Sequence, residues 1–211
     1  EAVSYLLAAR ELAHRLGAPV VGISLGQIGS GRTAEEALGV AARSLGEVLS
    51  RCDLPVRLAV EIHIDDVCNS VAKALGLLSL VDDPRLGFAF DTSLLHHNDI
   101  SYETAFGELG SRLYHVHLRD ATDETIFAIP GRGKVDFVAF FGCLRRQNYE
   151  GIASLELFQV EERYGISTIE ACREALSHLR AELPRRPRLT PNGSRPSRDR
   201  VAAPRPGPCP T

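Results

Sequence analysis

A short stretch of alternating residues, Leu113–Leu118, constrains the fold more than any other part of the chain. His115 and His117 occupy one side of this stretch, and Tyr114 shares the other side with aliphatic residues. A period of two predicts a β-strand with one polar and one apolar face. Polar residues inside a sheet require a chemical reason, so we expect the polar face to line a functional site.

Strand and helix patterns alternate through residues 1–182. We predict strands at Ala18–Gly26, Val56–His63, Leu86–Asp91, Leu113–Leu118 and Ile152–Leu157. We predict helices at Glu1–Leu16, from a cap at Thr33 to about Arg51, and at Asp65–Leu77, Tyr102–Gly110, Asp136–Arg146 and Ile166–Glu182. Connections that hold a helix are what parallel strands require, so the pattern favours an α/β fold.

The two faces of the predicted strands differ in a way that favours a barrel over a doubly wound sheet. Positions such as Leu58 and Phe88 are large and apolar, whereas the alternate positions, such as Ala59 and Ala89, are small or polar. Central strands of a doubly wound sheet are apolar on both faces, but barrel strands meet helices only on the outside. We therefore predict a (β/α) TIM-type barrel over residues 1–182.

A closed barrel of this type needs eight strands, and only five are predicted here. We expect these to be strands four to eight, with about 75 to 95 residues of three βα units preceding Glu1. The incomplete barrel should form an open, curved five-stranded parallel sheet with helices on its convex face. The inner residues Val20, Gly22, Ala59 and Ala89 would then be exposed to water, and the chain should be marginally stable or prone to aggregate.

Four polar residues stand at or near the carboxyl ends of predicted strands: Glu61, Asp91, His117 and Glu156. They are 30, 26 and 39 residues apart, each about one βα unit from the next. The carboxyl ends of barrel strands meet at one face, where catalytic groups lie. Three carboxylates and one imidazole suit a divalent ion, with Mn²⁺ favoured and Mg²⁺, Co²⁺ or Zn²⁺ as alternatives.

The motifs along the chain resemble those of the xylose isomerase-like barrels, the sugar phosphate isomerase/epimerase group, which shares its fold with endonuclease IV. The matching motifs are Phe-Asp-Thr-Ser, His-Val-His-Leu-Arg-Asp, Pro-Gly-Arg-Gly, Val-Asp-Phe and the Leu-Glu that follows Tyr-Glu-Gly. The resemblance implies that Glu61, Asp91, His117 and Glu156 bind one metal ion. Many members have a His three residues after the Asp, where this chain has Leu94.

The resemblance, together with the chemistry of such a metal site, implies a sugar or cyclitol isomerase, epimerase or dehydratase. A metal-bound carbonyl stabilises an enediolate, and Glu61 and Glu156 would act as base and acid on opposite sides of the substrate. The candidate substrate contacts are His63, His96, His115, Arg119 and Arg132. The alternatives are structural roles for His63 and His115, an ion pair between Arg119 and Asp120, and a plain turn at Arg132. Rival hypotheses are a metal-dependent endonuclease of the endonuclease IV type and a catalytically inactive fragment of the same fold.

Charge and composition bear on the partners. The whole chain has a net charge of −3. From Pro184 onward, seven arginines and one aspartate give a charge of +6, so the residues before Pro184 carry −9. An acidic body is a poor nucleic-acid surface, and residues 183–211, rich in Pro and Arg, are predicted to be a disordered tail.

No apolar run approaches a membrane span, and the cysteine spacing favours a reducing compartment. We therefore expect a cytoplasmic protein that acts on a small sugar or cyclitol molecule, with a homo-oligomer as one possible assembly.

Overall fold

A computed structural model describes residues 1–183 of the 211-residue chain, and the predicted tail lies outside these residues from Pro184 onward. The strands are β1 (Val20–Ile23), β2 (Arg57–Glu61), β3 (Leu86–Asp91), β4 (Leu113–Leu118) and β5 (Ala153–Leu155). The α-helices are α1 (Ala2–Arg15), α2 (Ala34–Arg51), α3 (Val71–Leu80), α4 (Thr92–His97), α5 (Tyr102–Leu109), α6 (Phe137–Arg146), α7 (Val160–Tyr164) and α8 (Thr168–Glu182). A single 3₁₀ turn, Gly110–Arg112, precedes β4 in this part of the chain.

The five strands form one parallel sheet in the order β1-β2-β3-β4-β5. Each strand pairs with the next one along the chain, as it does in a (β/α) barrel. The described residues therefore form a TIM-type half-barrel, which confirms the predicted fold class and strand order.

The outer face of the sheet packs against the helices. Leu58, Val60, Phe88, Phe90 and Val116 are fully buried and join helix residues in one hydrophobic core. The helix residues of this core include Leu45, Leu77, Phe106, Phe140 and Leu179. Large side chains on alternate strand positions thus face the helices, as the strand pattern predicts.

The inner face is better covered than the sequence predicts. Ala59 and Ala89 are 0% and 1% exposed, so the expectation that they are exposed to water is wrong, whereas Gly22 on β1 is exposed as expected. In the strand register, Ala89 lies between Glu61 and His115, whose longer side chains flank it. Gly87, the partner of Ala59, lies under the ring of Tyr114.

Tyr114 lies on the inner face because β4 contains a bulge. The pairing between β3 and β4 shifts after Phe88, so Tyr114 has no register partner, and His115 pairs with Ala89. A bulge inserts one residue and changes the side to which the following residues point. The prediction that Tyr114 shares the outer side with the aliphatic residues is therefore wrong.

Helix boundaries follow the capping side chains. Thr33 and Glu36 form the capping box predicted at the start of α2. Helix α3 begins at Val71, six residues later than predicted, because Ser70 caps it and the preceding loop is bonded to the segment that follows β1. In that loop Asp66 accepts hydrogen bonds from the Ser24 hydroxyl and the Leu25 amide.

Among residues 1–183, no helix is both long and apolar enough to cross a membrane.

Candidate metal centre

The four predicted ligands converge at one edge of the half-barrel. Glu61 and Asp91 are the last residues of β2 and β3, His117 is next to last in β4, and Glu156 directly follows β5. One donor atom from each residue lies within 4.8 Å of the others. Parallel strands bring their carboxyl ends to the same edge, which is why residues so far apart in sequence meet here.

His117 contacts two of the carboxylates. Its Nδ1 shares a hydrogen bond of 2.9 Å with Oε1 of Glu61 and lies 3.1 Å from Oε2 of Glu156 in an ion-pair contact. The hydrogen bond with Glu61 raises the pKa of His117. Burial opposes ionisation of Glu61, but the bond and charge of His117 hold the pKa of Glu61 below its usual value.

Asp91 is the most buried of the four and has a second task as the N-cap of α4. Its Oδ1 accepts hydrogen bonds from the Ser93 amide, the Ser93 hydroxyl and the Leu94 amide. Its Oδ2 lies 2.7 Å from Nη2 of Arg119. Burial raises the pKa of Asp91, whereas the charge of Arg119 acts in the opposite direction. The cap therefore fixes one oxygen and leaves the other directed at the charged groups.

The donor set and its unsatisfied oxygens fit a divalent cation. Asp91 Oδ2 and Glu156 Oε2 are buried and have ion-pair contacts, but no partner among the described residues forms a hydrogen bond with them. Buried carboxylate oxygens are normally satisfied by hydrogen bonds or a metal. Three carboxylates around one imidazole offer the hard oxygen donors that divalent ions prefer.

His63 and His115 lie near the centre but outside the four-residue cluster. The His115 ring packs edge-on against that of His117, with 4.8 Å between ring centroids. Burial lowers the pKa of His115, and the neighbouring His117 adds to this effect. His63 lines a cavity of about 450 Å³ with His97, Phe127 and other loop residues. His115 also lines a cavity with Arg57 and Tyr114 at the amino ends of the strands. The contact of both histidines with substrate stays a prediction.

Arg119, Arg132 and His96 lie in three different surroundings. Arg119 is 4% exposed and contacts the carboxylates of the centre. Arg132 is exposed and forms a two-point ion pair with Glu174 of α8, at 2.6 and 2.7 Å. His96 lines a separate shallow cavity of about 280 Å³ at the end of α4. The structure therefore brings only Arg119 of these three into the cluster, and the substrate contacts predicted for all three remain untested.

The Asp120 carboxylate binds backbone amides of the loop after β4. These contacts take the place of the ion pair with Arg119 that was the alternative interpretation. Its two carboxylate oxygens accept hydrogen bonds from four amides, those of Ala121, Gly131, Gly133 and Val135. A Cβ on Gly133 would lie 2.2 Å from Asp120 Oδ1, so this turn requires glycine. The Gly-Arg-Gly motif thus has a structural explanation.

Thr92 and Ser93 were missed as functional residues by the sequence reasoning. Ser93 Oγ donates to Asp91 and accepts from Nε of Arg119 at 2.9 Å. Thr92 Oγ1 donates to the Arg119 carbonyl at 2.6 Å and accepts from its amide at 3.0 Å. The available signal was Asp-Thr-Ser at a strand end, since an Asp N-cap predicts that Thr92 and Ser93 begin a helix at the edge where the candidate ligands meet.

The parallel half-barrel with a polar cluster at the carboxyl ends of its strands defines the class: a (β/α) protein of the TIM type. A family model described as "Xylose isomerase-like TIM barrel" matches residues 1–182. The chain belongs to this family, which confirms the resemblance seen in the motifs.

Curated relatives are enzymes named for sugars and cyclitol-type substrates. The inosose dehydratase of Clostridium botulinum (strain Eklund 17B / Type B) is 24% identical over 184 residues, covering 72% of this chain and 62% of the dehydratase. The D-psicose 3-epimerase of Enterocloster bolteae is 23% identical over 141 residues, covering 66% of this chain and 46% of the epimerase. The chain thus spans less than two thirds of the length of these relatives.

Solved structures show the same fold. D-psicose 3-epimerase from Clostridium cellulolyticum H10, solved with D-tagatose, has a TM-score of 0.73 at 20% identity, covering 86% of this chain and 70% of the epimerase. A structure described as IOLI protein with a binding zinc atom has a TM-score of 0.70 at 21% identity, covering 86% of this chain and 68% of that protein.

Proposed function

We propose that this chain carries the metal centre and catalytic carboxylates of an enzyme that isomerises, epimerises or dehydrates a sugar or cyclitol. The observation that carries the proposal is the convergence of Glu61, Asp91, His117 and Glu156 with two buried oxygens that lack hydrogen bonds. The names of the relatives support the substrate class. The centre would hold a divalent ion, with Mn²⁺ proposed ahead of Mg²⁺, Co²⁺ and Zn²⁺.

The proposed reaction begins with removal of a proton from the carbon next to a carbonyl. When bound, the ion would hold the carbonyl and a neighbouring hydroxyl and stabilise the negative charge of an enediolate. Glu61 and Glu156 flank His117, so one carboxylate can take the proton and the other can return one. Return on the opposite side of the carbon gives epimerisation, and loss of a neighbouring hydroxyl gives dehydration.

His63 and His115 are proposed as substrate contacts because His63 lies near Glu61 and the His115 ring packs against that of His117. A hydroxyl-rich substrate needs polar partners that both donate and accept hydrogen bonds, which neutral histidine provides. We further propose, from the sequence alone, that the protein is cytoplasmic and forms homo-oligomers. A nuclease of the endonuclease IV type would need more metal ligands, and within residues 1–183 one group of this kind is found.

Glu156→Gln tests the catalytic part of this proposal. The protein is incubated in deuterated water with Mn²⁺ and either D-psicose or an inosose, and solvent deuterium in the sugar is measured by mass spectrometry. We expect the variant to lose exchange by at least about 100-fold, since general acid–base groups contribute about 10²–10⁴-fold. The matched control is Glu162→Gln, the same change at an exposed residue of α7.

Unchanged deuterium exchange in the Glu156→Gln variant would rule out a role of Glu156 as base or acid. Exchange that is absent from the unmodified protein with every ketose and inosose tried, despite bound Mn²⁺, would refute the proposed reaction. Cleavage of DNA with an abasic site would instead favour the nuclease hypothesis.

A further inference from the structure

Arg119 is a buried cation in contact with the metal centre, and the proposed proton transfers do not use it. Its three guanidinium nitrogens each face a different oxygen: Nε donates to Ser93 Oγ at 2.9 Å, Nη1 to Glu156 Oε1 at 3.3 Å, and Nη2 lies 2.7 Å from Asp91 Oδ2. The guanidinium also lies 5.2 Å from the centre of the Phe127 ring. The side chain is therefore held from several directions and cannot turn freely toward a substrate.

The backbone of Arg119 is fixed as well. Its amide and carbonyl both bond to the hydroxyl of Thr92, the first residue of α4. Asp91 is the cap of that same helix, so Arg119 and Asp91 belong to one hydrogen-bonded unit that joins the ends of β3 and β4. Glu156 directly follows the short strand β5, where its amide donates to the Leu118 carbonyl of β4, and Arg119 joins its carboxylate to this unit.

Charge gives the second reason for an arginine here. Glu61, Asp91 and Glu156 together bring three negative charges when ionised, and a divalent ion would neutralise two of them. Net charge in a partly buried site is unfavourable, so a third positive charge is needed beside the ion. Arg119 supplies it and, as a planar fork, can contact two carboxylates at once, which a lysine ammonium does less well.

We propose that Arg119 is a positioning residue that sets the spacing of Asp91 and Glu156 for metal binding, in place of the substrate contact predicted from sequence. This role rests on the proposed metal centre. Residues that orient metal ligands typically change metal affinity by about 10–100-fold when they are replaced. The effect should follow the geometry of the fork and not only the charge.

Two variants test this role through Mn²⁺ affinity, measured by isothermal titration calorimetry at fixed pH. Arg119→Lys keeps the charge but cannot span both carboxylates, so its affinity should fall about 10-fold or more. Ser93→Ala keeps the arginine but removes the hydroxyl between Nε and Asp91, so its affinity should fall by a smaller factor.

Denaturant unfolding with EDTA present checks that each variant folds. The control is Arg163→Lys, the same change at an exposed arginine 4.8 Å from the centre of the Phe127 ring, which should leave affinity unchanged.

Unchanged Mn²⁺ affinity in folded Arg119→Lys would overturn the positioning role. If Arg119→Lys does not fold, unchanged affinity in Ser93→Ala overturns it. An unmodified protein that binds no Mn²⁺, or a Glu156→Gln variant that binds it as tightly, would instead refute the metal centre itself. The two failures are distinguishable. If only the positioning role is wrong, Mn²⁺ binds and its affinity still depends on Glu156. If the metal centre is wrong, Mn²⁺ does not bind or its affinity does not depend on Glu156.

Discussion

At the scale of single residues, the contact between Tyr114 and Gly87 shapes the inner face of the sheet. A Cβ on Gly87 would lie 2.3 Å from the Arg112 carbonyl oxygen and 2.4 Å from the Tyr114 ring. Arg57 in turn stacks on that ring, 4.6 Å from its centre. The missing side chain at position 87 thus allows the bulge to fold Tyr114 inward and cover the sheet.

Gly87→Ala should therefore destabilise the protein by about 2 kcal/mol, because overpacking against a backbone carbonyl cannot be relieved by a rotamer change. Urea unfolding followed by circular dichroism gives the measurement. The matched control is Gly107→Ala in α5, where an added Cβ meets nothing within 4 Å. That change should stabilise by about 0.5–1 kcal/mol, since alanine favours a helix over glycine. Equal effects at both positions would contradict the close contact.

The same residues show what the sequence could and could not predict. Glu61, Asp91, His117 and Glu156 were brought together correctly in space, because strand ends in a parallel sheet share one edge. The side of Tyr114 was not predictable, because a bulge depends on the register with a neighbouring strand. The ion pairs of Arg119 with Asp91 and Glu156 were not predictable either, because they join residues from the ends of three different strands. The substrate contact predicted for Arg119 stays a prediction.

At the scale of elements, Arg10 connects α1 to the end of α2. Its guanidinium is 0% exposed and donates to four carbonyls, those of Val48, Cys52, Leu54 and Val56. Two of these carbonyls lie at the C-terminal end of α2, where helix carbonyls lack partners and a positive charge is favourable. One side chain thus fixes a helix pair and the segment that enters β2.

Arg10→Met should destabilise the protein by about 3 kcal/mol, since methionine fills much of the volume but leaves buried carbonyls without donors. Arg15→Met, an exposed change in the last turn of the same helix, should stay within about 0.5 kcal/mol. Both are measured as shifts in the urea midpoint with an unchanged slope. A small effect of Arg10→Met would mean that water replaces the lost hydrogen bonds.

Element boundaries were predictable where a cap and a hydrophobic stripe agree. Thr33 with Glu36 marked the start of α2 correctly. The start of α3 was misplaced because Ser70 caps the helix, while Asp66 in the preceding loop is bonded to Ser24 and Leu25 after β1. The short helices α4 and α7 were missed, since helices of 6 and 5 residues carry too few positions for a helical period.

At the scale of the whole molecule, the described sheet has two edges. Strand β1 pairs with β2 alone and β5 with β4 alone among residues 1–183. Unpaired strand edges recruit further strands, and natural proteins protect such edges with charged side chains. Both edge strands, Val-Val-Gly-Ile and Ala-Ser-Leu, carry no charge. The 211-residue chain on its own should therefore associate through these edges.

We expect sedimentation velocity to show association that increases with protein concentration in the low micromolar to 100 µM range, the range in which unpaired edges become hazardous. Gly22→Lys places a charge on β1 at an exposed position where a Cβ meets nothing within 4 Å. This change should reduce association, because a desolvated ammonium opposes strand pairing at the edge. Gly107→Lys adds the same charge on an exposed part of α5 and controls for net charge alone. If Gly22→Lys and Gly107→Lys reduce association equally, net charge and not the β1 edge determines the association. A protein that stays monomeric at every concentration would contradict association through the strand edges.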